Sequence, residues 1–127
     1  MKNKLLTVSI LIALVLGACA YEMITIDNVF KDSCEIIDSM SDLERQNKKD
    51  ELLEASDKLY QLWGEKMPIL SMFVQHEIVD EIEQSIAIIK SSVEQDDSDT
   101  FQTEITRAAI QIQSLRDTEF PYIENIL

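Results

Sequence analysis

Glycine and proline are nearly missing from this chain: there are two of each in 127 residues. A sheet protein needs many tight turns, so this scarcity excludes a multi-stranded β fold and leaves long helices with few connections. Histidine occurs once, as His76. Any Ser/His/Asp or Cys/His arrangement would have to use it, and no Gly-x-Ser-x-Gly elbow accompanies it. Basic residues are outnumbered, at 11 against 24 acidic ones. Lys2 and Lys4 are the only charges in residues 1–21, so residues 22–127 carry −15 of a total of −13. Such a surface is repelled by phosphate backbones and anionic head groups, which excludes nucleic acid as a partner. It reads as a solvated surface, or as one that meets a basic partner or divalent cations.

What is present begins with an apolar run. Leu5 to Leu16 follows a short basic start, and Gly17-Ala18-Cys19-Ala20 closes it, the layout of a secretory signal. Residues 1–21 therefore read as signal peptide or membrane anchor, and 22–127 as an extracytoplasmic helical domain. Three outcomes compete at the junction. Ala18-Cys19-Ala20 has the A-x-A form of an ordinary cleavage site. Leu16-Gly17-Ala18-Cys19 is similar to the bacterial lipoprotein box, which implies a lipid on Cys19. The uncharged run Leu5–Tyr21 is also about 25 Å long as a helix, close to a hydrocarbon core of about 30 Å. With Lys2 and Lys4 held inside, all three put the acidic part outside the cytoplasm. If Cys19 is lipidated or membrane-buried, Cys34 has no disulfide partner and reads as a small core residue.

Beyond Tyr21 the apolar spacing is helical. Ile26, Phe30, Cys34, Ile37 and Met40 mark one helix, with Asn47 as a stop. Asp50 can cap a second, carrying Leu52, Ala55, Leu59, Leu62 and Trp63, and Gly64 and Pro68 are expected to break it. Pro68 then starts a third helix with the stripe Leu70, Val74, Ile78, Ile82, Ile86, Ile89 and Val93. Asp99 and Gln102 predict a capping box for a fourth, with Phe101, Ile105, Ala108, Ile112 and Leu115 as its seam. The wide third stripe needs two neighbours, so the fold class is all-α, a small antiparallel bundle of about four helices. The apolar ending Glu119–Leu127 is expected to pack back on it.

His76, Asp80 and Glu83 are spaced to share a helical face and could ligate zinc or a similar ion, serving metal sensing or metal-dependent hydrolysis. The sequence lacks the second histidine of H-E-x-x-H, and the face lies opposite the apolar stripe, where a surface helix keeps polar groups. Asp96 to Asp99 lacks the glycine and twelfth-position glutamate of a calcium loop and reads as a helix junction.

Trp63, then Leu70 to Ile78, Asp80-Glu81-Ile82, Ser85-Ile86-Ala87 and the ending Ile123 to Leu127 resemble the bacterial family called domain of unknown function 4363. The resemblance covers Asp50 to Leu127 and the apolar start. It implies a short envelope protein of low-GC Gram-positive bacteria, anchored at its N-terminus and helical beyond, with no assigned activity. Members carry a plain apolar anchor, from which Leu16-Gly17-Ala18-Cys19 departs. The expectation is a non-enzymatic module without a cofactor that binds another protein, such as an integral membrane protein, in an envelope complex.

Overall fold

Helical spacing of apolar residues recurs from Ile26 to Leu115. The computed structural model, which describes residues 1–119, contains four helices: α1 (Lys2–Arg45), α2 (Lys49–Phe73), α3 (His76–Glu94) and α4 (Ser98–Glu119). No strand occurs among the described residues. Each helix packs on the next and α4 closes on α1, an antiparallel four-helix ring. The ending from Phe120 to Leu127 lies outside the described residues.

The stripes meet in one core. Met40, Leu59, Trp63, Ile82, Ile86, Ile89, Phe101 and Ile112 are fully buried, and every seam residue expected on α4 is buried. One polar contact is sealed among them. The Trp63 indole Nε1–H donates to Ser33 Oγ at 3.0 Å, with both residues buried, which pins the register of α2 against α1.

Two boundaries differ from the sequence expectation. Gly64 and Pro68 do not end α2; the helix runs through both to Phe73. Proline inside a helix costs about 3 kcal/mol, because it lacks an N–H and crowds the carbonyl four residues back. The stripe Leu59, Trp63, Leu70 stays in phase across the proline, and Leu70 is completely buried. Packing of the last turn, at about 1.5–3 kcal/mol for such a leucine, offsets the defect. The real break is at Val74 and Gln75, which are extended (ψ 150° and 132°), so α3 starts at His76 rather than Pro68.

The caps differ as well. Asp50 sits in the first turn of α2 rather than at its cap, where its charge still favours the helix dipole. On α4 the capping carboxylate is Asp97, not Asp99. Its Oδ1 accepts from the Thr100 backbone N–H at 3.2 Å and its Oδ2 from the Thr100 hydroxyl at 2.6 Å. These bonds, the hydroxyl first, hold the Asp97 carboxyl below the usual carboxylate range. The shift of the cap follows from how α3 ends.

Both turns at this end of the bundle use one device. Asn47 (φ 57°) and Asp96 (φ 56°) are left-handed. Lys48 N–H reaches Leu43 O and Asp97 N–H reaches Ser92 O, closing each helix with the same six-to-one bond. Asn47 is thus the stop its sequence suggested. Lys49 Nζ to Asp96 Oδ2 (2.8 Å) and the Ser98 hydroxyl to Glu44 Oε1 (2.9 Å) tie the turns together.

A Cβ added at Gly64 would meet nothing within 4 Å. Gly64→Ala is therefore expected to raise stability by about 0.5–1 kcal/mol, read as a rise in the denaturation midpoint. Ser33→Ala leaves the Trp63 N–H buried without an acceptor and is expected to cost about 1–3 kcal/mol in the same measurement.

Candidate functional site

The most distinctive feature is the division of α1. No residue from 2 to 24 is buried, and all but the half-buried Glu22 are exposed: Leu5 is 72% exposed and Leu16 64%. At Thr25 and Ile26, 9% and 2% exposed, the same helix enters the core. It crosses this boundary without a turn, running unbroken for 44 residues. α1 is the one helix among the described residues long and apolar enough to cross a membrane, and none of its apolar window is buried. The uncharged run Leu5–Tyr21 spans about 25 Å as a helix, a little short of a hydrocarbon core of about 30 Å, and Glu22 separates it from Met23 and Ile24.

Cys19 lies on this projecting half and is exposed, as a free thiol. Cys34 lies nine residues inside the bundle, half-buried and also free. Burial pushes its thiol up, the neighbouring Asp38 carboxylate adds to this, and Arg116 pulls it back. That environment disfavours the thiolate, the opposite of what a nucleophile needs.

The sequence-predicted ligands stand at the start of α3. His76 and Asp80 are exposed and Glu83 is half-buried, as expected for the polar side of the stripe. Among the described residues no three or more His, Cys, Asp or Glu side chains are gathered closely enough to hold a metal ion. The helical spacing is realised, but a ligand cluster is not.

Two groups escaped sequence reasoning. Glu104 is buried; its Oε1 lies 3.3 Å from Arg107 Nη1, and its Oε2 is buried without a hydrogen bond. Its position three after Phe101 and four before Ala108 marks it as seam-facing, a signal hidden by its charge. Arg116 places its guanidinium 4.7 Å from the centre of the Phe30 ring, with Nε 4.0 Å from Asp27, and joins α4 to α1. The cavities are shallow. At the end where α1 turns into α2, a cavity of about 230 Å³ is floored by Leu43, Leu52, Val93 and Phe101 and rimmed by Lys49 and Asp96. That is smaller than ordinary ligand pockets.

The family model described as Domain of unknown function (DUF4363) matches residues 23–126. The chain belongs to this family. The match begins close to where α1 turns from exposed to buried; it adds residues 23–49 to the expected range and leaves out the apolar start. No curated protein and no solved structure matches the chain.

The raised Cys34 thiol has a consequence for stability. The folded state holds this proton more tightly than the unfolded state. Its contribution is fully present below the ordinary thiol value of 9.0 and is lost as pH rises through the folded value. Removing the thiol in Cys34→Ala is expected to flatten the decline of melting temperature above about pH 9 relative to the parent.

Proposed function

We propose that this chain is a membrane-anchored, non-enzymatic helical module that works on the extracytoplasmic face of a bacterial membrane and binds another protein of an envelope complex. The observation that carries the reading is α1, exposed and apolar in its first half and built into the bundle core in its second. Bare leucine and isoleucine on residues 5–16 are unfavourable in water and favourable in lipid. Lys2 and Lys4 stay on the cytoplasmic side, which sends the acidic bundle outward. The unbroken helix across residues 17–24 supports anchoring by α1 itself. Acylation of Cys19 with cleavage before it is the other route to the same membrane face.

A groove between α1 and α2 supports the partner. Three carboxylates, Asp32, Glu35 and Glu65, and one cation, Lys58, surround the half-buried Ile36 and Leu62 there, a net negative rim. That composition suits a protein presenting basic side chains around an apolar anchor.

Fractionation tests the anchor. The full chain is expected in the membrane fraction, with residues 5–16 present in the mature chain by mass spectrometry and the bundle cleaved by protease added outside intact cells. Leu11→Lys combined with Val15→Lys places two charges at depth, each costing about 2.5–3.5 kcal/mol of insertion, and is expected to release the chain. A soluble parent chain contradicts the reading; an acylated N-terminal Cys19 replaces the helical anchor with a lipid one.

A further inference from the structure

The bundle has two ends, and they differ in chemistry. The far end carries the turns at Asn47 and Asp96, crowded with charge: Glu44, Lys48, Lys49, Asp97 and Asp99. The near end, where α1 leaves for its projecting half, carries the junction of α2 and α3. The sequence there, Met67 to Gln75, holds no charged residue over nine positions. No other stretch of that length in residues 22–127 lacks an acid or a base.

The register puts this junction level with the end of the projecting half. Trp63 is bonded to Ser33 across the antiparallel α1–α2 pair. Met72 lies nine residues on from Trp63, and Ile24 nine residues back from Ser33. Both are therefore displaced about 14 Å in the same direction at 1.5 Å per residue. Arg116 beside Asp27 brings the last turn of α4 to the same level. Met72 is 77% exposed, the most exposed large apolar side chain among the described residues outside the projecting half of α1, and Ile24 is 61% exposed. Methionine is an adaptable apolar residue, suited to a disordered surface such as the lipid head-group boundary.

We infer that the near end of the bundle is a second membrane contact, in which Met72 and the charge-free α2–α3 junction seat in the lipid interface beside the emerging α1. The inference rests on the anchoring reading above and adds the depth and orientation of the bundle. The occupant is lipid rather than protein because the junction is continuous with the spanning segment and at its level. A bundle of charge −15 is repelled by anionic head groups, and within this end, which also holds Asp27 and Arg116, the α2–α3 junction is the stretch that brings no charge to the surface. α1 enters the core without a linker, so the base has no slack with which to stand away from the surface.

The test uses the full chain in phosphatidylcholine nanodiscs, with Cys19 and Cys34 replaced by alanine and a single fluorescent label at position 12, 72 or 46. Lipids carrying a quencher near the head group or deep in the chain report depth. The expected result is deep quenching at Ile12→Cys, and head-group quenching at Met72→Cys several-fold stronger than at Gln46→Cys. Quenching at position 12 with position 72 no different from position 46 overturns the interfacial contact and leaves the anchor standing. Loss of quenching at position 12 overturns both. A label at position 72 shielded from lipid and water alike shows a second copy on this end and also overturns the proposal. Met72→Asp supplies an independent readout: it is expected to remain anchored through α1 while its junction becomes several-fold more sensitive to added protease.

Discussion

Everything in this molecule depends on one helix being used twice. α1 spends its first half exposing leucine, isoleucine and valine, and its second half burying Ile26, Val29, Ile37 and Met40 in the core. Because the backbone is helical throughout, every hydrogen-bonding group within the apolar half is satisfied internally, as a bilayer requires. The same continuity fixes where the bundle begins relative to the apolar half. There is no flexible segment between Ile24, which is exposed, and Ile26, which is buried.

The bundle is built to hold that helix. Trp63 anchors α2 to α1 through Ser33, while Arg116 secures α4 to α1 through Phe30 and Asp27. Lys90, 3.3 Å from Asp57 and 4.7 Å from the Tyr60 ring, joins α3 to α2. Exposed pairs of this kind contribute little each, so the apolar core carries most of the stability and the polar contacts set register. The paired left-handed turns at Asn47 and Asp96 do the same at the far end. None of these groups forms a reactive cluster. Burial holds the Cys34 thiol up, and His76, Asp80 and Glu83 are not gathered into a ligand cluster.

Much of this was legible in the residues. The all-α class followed from scarce glycine and proline, and the seam of α4 was readable position by position. The error over Pro68 is instructive. Proline and glycine announce a break locally, but Leu59, Trp63 and Leu70 keep the apolar phase across it, and burial outweighs the local defect. The true break at Val74 and Gln75 carries no breaker residue, and Leu70, Val74 and Ile78 keep a four-residue spacing through it, so periodicity could not reveal it. Buried Glu104 was illegible for a different reason: charge is read as exposure. The cap at Asp97 depended on the left-handed turn at Asp96 before it, a tertiary detail that four adjacent polar residues conceal.

The continuity of α1 is the central claim, and a distance measures it directly. Spin labels at Ile12 and Asp42, both on exposed positions of α1, are separated by thirty residues, or about 45 Å of helix. Electron–electron resonance on the full chain in nanodiscs is predicted to give one narrow distribution near that value. A broad or much shorter distribution would reveal a hinge between residues 17 and 25 and would contradict the account.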